Sequence, residues 1–396
     1  MELLSNMWKG LTALWQVAPW ASSICIIMLV LFLLHEFLLT RFAKNAARVK
    51  NVAPIVDATS VSVVVCIRNG AHHWPKLWEA LQMQQLNHWE LVVVDDGSTD
   101  ETAALLDQAQ KESEGVHWNR QICQHSRTGK KDALELGIRS AKGSNILVTD
   151  VDCVPSSPHW ISKMIEPLEQ GSDAVIGVSF PNIKSAKRIW GKLQMLDALR
   201  IARSYVGWAE AGIPYMGVGR NMAYRKSLFQ GFDGHRDLAS GDDDLLIQSW
   251  LLSGPLRVQV VLDHDAQTHT SAPEEPAAWG RQKRRHWSTA VRYSGLHSMG
   301  LLMPTLLFFG WISASLLWIW AGIEAGVLHN VLWIVGAMAA GAWGIPVLNF
   351  RSFAKVCGVP KSRWNVGCLQ PVLACWIWGQ AWKGMLTTRS EEQWDL

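Results

Sequence analysis

Three long apolar stretches constrain this chain more than any other feature of its sequence. They cover residues 24–39, 301–321 and 331–348. A helix needs about 20 apolar residues to cross the ~30 Å hydrocarbon core of a bilayer, and each stretch with its flanks approaches that length. Hydrophobic residues make up 49% of the chain and charged residues 18%, whereas residues 55–275 have the mixed composition of a globular domain. The sequence therefore predicts membrane-spanning helices around one large soluble domain.

The first apolar stretch is predicted to be a membrane anchor, with its span at about residues 21–40. A cleaved signal peptide is the alternative. Residues 1–20 contain three tryptophans and precede the stretch, and the sequence has no A-x-A cleavage site there, which favours the anchor. His35 and Glu36 are polar residues near the end of the stretch, where they are expected to lie close to one membrane interface.

Basic residues predict the orientation of these spans. Lys9 is the basic residue before the first stretch, and four follow it directly: Arg41, Lys44, Arg48 and Lys50. Segments 281–292 and 351–363 are also basic, whereas the loop 322–330 contains no Lys or Arg. The positive-inside rule then predicts a multi-pass protein of the cell (inner) membrane whose large domain is cytoplasmic.

A weaker apolar stretch at 366–382 has two interpretations. It contains Gln370, Pro371 and Gln380, and a further span would carry Lys383 to the outside. A helix lying at the cytoplasmic interface is therefore favoured over a span. The predicted division is 1–50 anchor, 55–275 cytoplasmic domain, 276–299 basic interfacial segment and 300–396 membrane region.

The soluble domain alternates strands with helices. Strands are predicted at 61–69, 90–95, 145–149, 174–178 and 258–262, with helices at 76–85 and 131–141. A further helix is predicted to open at Thr99, with Ser98 or Thr99 as its cap. This alternation predicts an α/β sheet, mainly parallel, with helices on both faces. Ligands of such sheets bind beyond the carboxyl ends of the strands, where the acidic DDG and DVD segments fall.

The DVD segment carries Asp150 and Asp152 on one side of an extended strand end. Two carboxylates suit a hard cation such as Mg²⁺ or Mn²⁺, which also takes substrate phosphates as ligands. A sugar nucleotide requires such a cation because its departing diphosphate develops negative charge. The simpler interpretation is a helix cap and turn before Pro155.

Two further acidic segments have similar alternatives. Carboxylates of DDGSTD, at Asp95 and Asp96, can accept hydrogen bonds from a nucleoside, although Asp-Gly is also an ordinary turn sequence. In GDDDLL (241–246) a carboxylate can act as general base toward an acceptor hydroxyl, or the segment can be a solvated helix start. The basic segment QKRRH (282–286) can reach a diphosphate or an acceptor, or it can contact lipid headgroups.

Taken together, these segments resemble the family-2 glycosyltransferases of the GT-A fold. VSVVVCIRN, ELVVVDDGSTDET, GKKDALELGIRSAKGSNILVTDVDCVP, GVGRNMAYRKSLF and SGDDDLL stand in the family's order over about 61–295. Cys66 stands where the family commonly has Pro, and Gly70 where it commonly has Glu. QKRRH matches the first and fourth positions of the family's QxxRW motif, with His286 in the place of its Trp.

The resemblance assigns a role to each matched residue. It implies Asp243 as catalytic base with Asp242 in the neighbouring position, Asp152 as principal metal ligand with Asp150 beside it, and Mg²⁺ or Mn²⁺ as cofactor. The residues that it implies in donor binding are Cys66, Arg68, Asp95, Asp96, Lys130, Asp150, Gln282 and Arg285.

The implied reaction is inverting transfer of a sugar from a nucleotide-diphosphate donor, in particular a UDP-sugar. The layout is similar to that of ceramide glucosyltransferases, so a membrane-associated lipid acceptor is expected. A processive polysaccharide synthase is the alternative enzyme, with a glycan acceptor, and an inactive scaffold subunit is the alternative outside catalysis. The net charge of +3 is too small to indicate nucleic-acid binding.

Overall fold

The computed structural model describes residues 12, 19–46, 57–113, 116–123, 130–183, 189–233, 241–290, 292–293, 295–324 and 326–386. Lys9, Arg48, Lys50 and Arg389 and the Gly129 and Ser240 positions of the motifs lie outside the described residues. In chain order the elements are α1 (Pro19–Asn45), β1 (Asp57–Ile67), α2 (Trp74–Gln82), β2 (Asn87–Asp95), α3 (Thr102–Glu112), β3 (His117–Ile122), α4 (Lys130–Ser140), β4 (Asn145–Asp150), β5 (Cys153–Pro155), α5 (Trp160–Glu169), β6 (Ala174–Gly177), β7 (Ser179–Asn182), α6 (Ile189–Glu210), β8 (Met222–Arg225), α7 (Asp244–Ser253), β9 (Val258–Val261), β10 (Thr268–Ser271), α8 (Pro276–Ala290), α9 (Gly295–Glu324), α10 (Leu328–Val356) and α11 (Gln370–Leu386).

A twisted central sheet forms the core of the soluble domain. Its strand order in the described ranges is β3-β2-β1-β4-β8-β6-β9. Strand β1 pairs in parallel with β2 and with β4, and β2 pairs in parallel with β3, whereas β8 runs antiparallel to both of its neighbours. The register sets Cys66 beside Val94 and Asp150, so the carboxyl ends of β1, β2 and β4 meet at one edge.

Helices cover both faces of this sheet. Trp74 of α2 and Trp160 of α5 pack with Leu91 in one apolar cluster, whereas Leu134 of α4 and Trp250 of α7 pack with Val92 in another. Adjacent residues of β2 thus face opposite sides, because side chains alternate along a strand. Both clusters are buried, as expected for strands that read as continuous apolar runs. The prediction of a mainly parallel α/β sheet with helices on both faces is confirmed.

A second, three-stranded sheet stands beside the carboxyl ends of the first. Its order is β5-β10-β7, with β10 antiparallel to β5 and parallel to β7. The β5 strand begins at Cys153, directly after DVD, and Thr270 of β10 is the residue that pairs with it. The DVD segment is therefore held at both ends, by β4 of the central sheet before it and by β5 of the small sheet after it.

The helix after DDGSTD begins later than the sequence predicted. It starts at Thr102, not at Thr99, and neither Ser98 nor Thr99 caps it. Asp100 Oδ1 accepts a hydrogen bond from the Thr102 nitrogen at 3.0 Å, and Ser98 Oγ accepts one from the Asn69 nitrogen at 3.0 Å. Residues 98–100 remain non-helical because their side chains bind the neighbouring loop.

Among the residues that the structure describes, three helices are long and apolar enough to cross a membrane, at Ser22–Asn45, Leu302–Glu324 and Leu328–Val356. The predicted stretches 24–39 and 331–348 lie inside two of these spans, and the stretch 301–321 lies inside α9. The helices pack together through buried apolar residues such as Phe32 and Trp318, and the Trp318 indole donates to Ser22 Oγ at 2.5 Å. Helix α11 covers residues 370–382 of the weaker fourth stretch, and its Trp376 ring stacks on Trp279 of α8 with 3.8 Å between centroids.

Candidate active site

The loops after β1 and β2 are joined by side-chain hydrogen bonds at the carboxyl edge of the sheet. Asn69 adopts a left-handed backbone (φ 50°), which asparagine tolerates better than most residues. Its Oδ1 accepts from the Thr99 nitrogen at 2.8 Å. Asp100 Oδ2 accepts from the Ala71 nitrogen at 3.2 Å, and Thr102 Oγ1 from the Gly70 nitrogen at 3.0 Å. The DDGSTD loop is thus fixed before any ligand binds.

Gly70 replaces the glutamate that is common at this position of the family. A Cβ atom at Gly70 would lie 2.7 Å from Ile67 Cγ1 and 3.4 Å from Val151 Cγ1. The close packing of these side chains explains why this chain has glycine here, and a longer side chain would have to displace Ile67.

The residues expected at the nucleoside lie at this same edge. Asp95 ends β2, is buried, and accepts a hydrogen bond from the Ser98 nitrogen at 3.0 Å. Asp96 is also buried, and its backbone nitrogen donates to Ile67 O at 2.8 Å. Cys66 is buried one residue before the end of β1, and Arg68 follows that strand with a half-buried side chain. Burial raises the pKa of the Cys66 thiol, so it is a neutral group at this edge.

Lys130 joins two of the acidic motifs. Its Nζ lies 2.5 Å from Asp150 Oδ1 and 3.0 Å from Asp242 Oδ2. Burial opposes the charged form of this lysine, but Asp150 and Asp242 hold its pKa well above the ordinary value. Burial likewise opposes ionisation of Asp242, but the ammonium of Lys130 keeps the pKa of that carboxyl below its ordinary value. A permanent positive charge therefore stands between DVD and GDDD.

Asp150, Asp152 and Cys153 form a group whose ligand atoms lie within 4.8 Å of one another. Asp152 Oδ2 accepts from Thr270 Oγ1 at 2.8 Å, which orients this carboxylate. Burial, with Asp152 and Asp150 beside it, raises the pKa of the Cys153 thiol well above its ordinary value. Hard cations prefer oxygen ligands to the sulfur of Cys153, so the donor set that fits Mg²⁺ or Mn²⁺ is the two carboxylates.

Asp243 caps the N-terminus of α7 and lies against the GVG segment. Its Oδ1 accepts from the Asp244 nitrogen at 2.9 Å and its Oδ2 from the Gly219 nitrogen at 2.6 Å. A Cβ atom at Gly219 would lie 3.2 Å from Asp243 Oδ2, so the glycine permits this approach. Burial, with the charge of Asp242 beside it, raises the pKa of Asp243 to about 6. Such a carboxyl is ionised at neutral pH and is a stronger base than an ordinary aspartate.

The third carboxyl of GDDD faces the membrane helices. Tyr293, just before α9, donates a hydrogen bond to Asp244 Oδ2 at 2.6 Å. Burial, together with Asp243, raises the pKa of Asp244 well above its ordinary value. The three adjacent aspartates therefore differ: Asp242 is paired with Lys130, Asp243 is intermediate, and Asp244 holds its proton most tightly.

Arg220 is a further cation at this site that the sequence analysis did not single out. Thr149 Oγ1 and Thr268 Oγ1 donate to its carbonyl at 3.0 and 3.4 Å, which holds its backbone between the two sheets. Burial opposes its charge, but Cys153, Asp152 and Asp150 hold the pKa of Arg220 above its ordinary value. The signal was present in GVGRN, where Arg220 is a lone charge in a small and apolar segment.

The QKRRH segment is helical and lies on α8. Gln282 and Arg285 are half-buried, and the two residues between them contact other helices. Lys283 is buried in an ion pair with Asp197 of α6, and Arg284 donates to Gln380 of α11 at 2.8 Å. The basic helix is thus held between the soluble domain and the last helix. Lys283 was not among the predicted site residues.

The structure brings most of the predicted residues to one edge. Lys130, Asp150 and Asp242 are in direct contact, Asp152 adjoins Asp150, and Asp243 follows Asp242. Asp95 and Asp96 lie at the end of the adjacent strand β2.

Comparison with known proteins gives the same outline. Residues 62–232 match the family described as Glycosyl transferase family 2. An undecaprenyl-phosphate 4-deoxy-4-formamido-L-arabinose transferase of Pectobacterium carotovorum subsp. carotovorum (strain PC1) is 34% identical over 128 residues, 31% of this chain and 37% of that protein. The transferase of the same name from Pseudomonas savastanoi pv. phaseolicola (strain 1448A / Race 6) is 33% identical over 137 residues, 33% of this chain and 39% of that protein. This chain therefore spans well under half the length of these relatives.

A solved structure extends the likeness beyond that segment. The mannosyltransferase PcManGT from Pyrobaculum calidifontis, in complex with GDP-Man and Mn²⁺, superposes with a TM-score of 0.57 at 19% identity. The superposition covers 89% of this chain and 99% of the mannosyltransferase, which shows a common fold. The chain therefore contains a glycosyl transferase family 2 domain, and its fold is GT-A.

Proposed function

We propose that this protein is an inverting glycosyltransferase that moves a sugar from a nucleotide-diphosphate donor, a UDP-sugar, to a lipid acceptor at the membrane. In this proposal Asp95 and Asp96 contact the nucleoside, with Cys66 and Arg68 at the same edge of the sheet. Lys130, Gln282 and Arg285 act on the diphosphate.

The reaction is a single displacement at the anomeric carbon. Asp243 accepts the proton of an acceptor hydroxyl as its oxygen forms a bond to that carbon. The bond from the carbon to the diphosphate oxygen breaks on the opposite face, and the nucleoside diphosphate leaves with the electron pair. Lys130 stabilises the developing charge, because fixed cations aimed at a leaving group are more effective than water.

A divalent cation fits the carboxylates of Asp150 and Asp152. Mg²⁺ or Mn²⁺ there would neutralise the diphosphate as it leaves. Thr270 orients Asp152 through its hydrogen bond at 2.8 Å, and Lys130 holds Asp150 at 2.5 Å.

The observation that carries the proposal is the environment of Asp243. Two backbone nitrogens hold its carboxylate at 2.6 and 2.9 Å, which fixes its orientation. Its pKa of about 6 suits a general base at neutral pH. A helix cap with no catalytic role gains nothing from a raised pKa, because such a shift lowers stability at neutral pH.

The acceptor is proposed to be a lipid for two reasons. Tyr293, in the interfacial segment just before α9, touches the same GDDD segment that contains the base. The relatives are named as transferases that act on undecaprenyl phosphate, a lipid. We further propose that residues 55–275 form the catalytic domain on the cytoplasmic face of the cell (inner) membrane, with 1–50 as anchor, 276–299 as interfacial segment and 300–396 as membrane region.

The proposal is tested with the full chain in lipid nanodiscs. Radiolabelled UDP-glucose, UDP-galactose, UDP-N-acetylglucosamine and GDP-mannose are each supplied with Mn²⁺ and with undecaprenyl phosphate or dioleoylglycerol. A labelled lipid carrying one sugar supports the proposal, whereas a polymer ladder indicates a processive synthase. Absence of both transfer and donor hydrolysis with every donor overturns it.

The matched variants are Asp243→Asn and Glu112→Gln. Asp243→Asn keeps the shape of the side chain but removes the base, so transfer to a hydroxyl acceptor should fall by about 10²–10⁴-fold while donor binding is retained. Glu112 is an exposed carboxyl at the last residue of α3, the helix end farther from the DDGSTD motif, and its variant should match the wild type. Equal turnover of Asp243→Asn and wild type with dioleoylglycerol, the hydroxyl acceptor, rejects Asp243 as the base.

A further inference from the structure

Glu36 is a buried carboxylate in an apolar helix, and its partner comes from the catalytic domain. Arg203 of α6 binds it through both terminal nitrogens, with 2.7 Å from Nη1 to Oε2 and 2.9 Å from Nη2 to Oε1. Both residues are 3% exposed. The Nη2 contact is a hydrogen bond, and the Nη1 contact brings the second carboxylate oxygen within ion-pair distance of the guanidinium.

The pair is enclosed by a third segment of the chain. Arg203 Nη1 also donates to Thr40 Oγ1 at 2.9 Å. Its guanidinium lies over the ring of Phe350 of α10, 4.5 Å from the centroid, where a cation is attracted to the ring face. The side-chain nitrogen of Asn349 donates to the carbonyl of Glu36 at 3.4 Å. The anchor helix, the catalytic domain and a second apolar helix therefore meet at this point.

The helix backbones also approach closely at this point. A Cβ atom at Gly207 of α6 would lie 2.8 Å from the carbonyl oxygen of Leu39 and 2.6 Å from its Cδ1. Because a side chain at position 207 would push α1 and α6 apart, glycine permits the contact. Ala43 of α1 and Phe353 of α10 belong to the same buried cluster as Leu196 of α6. The anchor and the catalytic domain thus share one core.

The exposed side of α1 shows how deep this contact lies. Phe37 and Leu38 are exposed apolar residues, and Arg41 is the first exposed cation after them. Glu36 precedes Arg41 by five residues, about 7.5 Å along a helix. Arg203 therefore reaches past the level of Arg41 toward the apolar part of α1. Burying two charges there costs desolvation free energy unless they are paired. The pair therefore indicates a fixed attachment of the domain to α1, because a flexible attachment does not require buried charges.

Helix α6 also touches both sides of the candidate active site. Its Asp197 holds Lys283 of the basic helix α8. Its Ser204 Oγ is 2.9 Å from the hydroxyl of Tyr215, whose ring lies 6.3 Å from that of Tyr293. Tyr293 in turn donates to Asp244. A shift of α6 along the anchor would therefore move the site relative to the bilayer.

We propose that Arg203 and Glu36 are positioning residues, which seat the catalytic domain on its anchor and hold the active site at a fixed height for an acceptor whose chain stays in the membrane. This inference rests on the proposed transfer to a lipid. It assigns the pair no contact with the donor, the acceptor or the reacting atoms.

The test compares two acceptors that share a headgroup and differ in their membrane residence. Undecaprenyl phosphate in nanodiscs is paired with citronellyl phosphate in solution, and dioleoylglycerol with dihexanoylglycerol. In the Glu36→Met/Arg203→Met double variant the KM for the long-chain acceptor should rise about tenfold. Its kcat and KM for the short-chain acceptor, and the KM for the donor, should stay within about twofold of wild type. Both charges are replaced together because an unpaired buried charge would endanger folding.

A second variant and a matched control distinguish a change in the height of the active site above the membrane from a general loss of protein stability. Gly207→Ala keeps the ion pair but pushes the helices apart, and it should show the same acceptor-dependent rise in KM. Asp107→Asn/Arg120→Met removes an ion pair on α3 and β3, at the far edge of the sheet, and should leave both acceptors unchanged. Equal losses with long-chain and short-chain acceptors, or no loss with either, overturn the inference.

Amide hydrogen exchange tests the seating without any substrate. The double variant should speed exchange in residues 36–45 and 200–209 and leave residues 130–140 of α4 unchanged. Unchanged exchange in all three segments overturns the seating of the domain by this pair. If wild type transfers no sugar to any acceptor, the proposed function fails, and the exchange result still decides the inference about docking.

Discussion

The carboxylate of Asp243 accepts a hydrogen bond from the backbone nitrogen of Gly219, with 2.6 Å between Oδ2 and N. This contact joins the GDDD and GVGRN segments, so one oxygen of the proposed base is held by the loop that precedes β8. The hydrogen bond favours the ionised form, whereas burial and the charge of Asp242 oppose it, and the resulting pKa is about 6.

We expect transfer to a hydroxyl acceptor to slow below pH 6. Asp243 must be ionised to take the acceptor proton, so kcat/KM should fall about tenfold for each pH unit below its pKa. The measurement is kcat/KM between pH 4.5 and 8.5 in nanodiscs. Glu112→Gln should give the same profile, and an inflection near 4, where ordinary aspartates titrate, would reject the raised pKa.

Asp243→Asn should also stabilise the protein at neutral pH. The pKa of Asp243 is raised from its ordinary 3.8 to about 6, so the folded state binds this proton more tightly than the unfolded state. The group therefore costs no stability below its unfolded pKa. Between about pH 4 and pH 6 the ionisation of Asp243 lowers the free energy of unfolding progressively. Above pH 6 this loss is constant at about 3 kcal/mol.

The size of that gain is reduced by one weakened hydrogen bond. Asn offers one acceptor oxygen where Asp243 offers two, and the lost contact costs about 1 kcal/mol. Thermal unfolding in detergent should show Asp243→Asn about 1–2 kcal/mol more stable than wild type at pH 7.5 and no more stable at pH 4. If Asp243→Asn is less stable than wild type at pH 7.5, the predicted stabilisation is wrong.

Lys130→Met should separate metal binding from catalysis. Lys130 competes with a cation for Asp150 and also stabilises the leaving group, so its removal should lower the Mn²⁺ concentration for half-maximal activity while kcat falls about 100-fold. Lys76→Met, on the exposed side of α2, is the control and should change neither. A rise in the Mn²⁺ requirement would show that Lys130 does not oppose the metal.

The metal site itself is tested by a pair of variants at the adjacent residues Asp152 and Cys153. Asp152→Ala should abolish Mn²⁺ binding in the presence of UDP, measured by calorimetry, because one of two carboxylate ligands is lost. Cys153→Ala should leave that binding unchanged, because hard cations prefer carboxylate oxygens to sulfur. Loss of Mn²⁺ binding in Cys153→Ala would make the sulfur a ligand.

Much of the sheet and its chemistry could be predicted because the signals are local. β-branched runs such as residues 61–65 indicate buried strands, and the acidic segments follow the strands directly. The start of α3 could not be read in the same way. Asp100 and Thr102 begin this helix because Ser98 and Thr99 bind Asn69, which lies about 30 residues earlier in the chain.

Contacts between distant segments were beyond the reach of the sequence. Lys130 contacts Asp242, and Glu36 contacts Arg203. The residues of each pair are too far apart in the sequence for hydrophobic periodicity to predict their contact. The sequence therefore predicted only that Glu36 lies close to a membrane interface, whereas the structure pairs it with Arg203. The family motifs identified Asp150 and Asp243 as candidate site residues, but they did not predict that Lys130 contacts both the DVD and the GDDD segments.

Arg220 should prove to be a donor-binding residue. Its backbone is fixed by Thr149 and Thr268, and its side chain is close enough to Asp150 and Asp152 to be stabilised by their charges. A guanidinium beside the metal ligands suits a diphosphate, which it can bind at two points. Arg220→Met should raise the donor KM about 10–100-fold, as expected for a lost charged hydrogen bond of about 1.5–3 kcal/mol.

The matched control for Arg220 is Arg225→Met on the same segment. Arg225 ends β8, donates to the carbonyls of Leu168 and Ser172, and lies at the opposite end of that strand. Its loss should lower stability but leave the donor KM within about twofold of wild type, because none of its described contacts involves the acidic motifs. Arg220→Lys separates charge from shape: a lysine keeps the charge but binds at one point, so its KM should lie between the wild-type and Met values. A donor KM unchanged in Arg220→Met would assign Arg220 to the folding of the DVD segment alone.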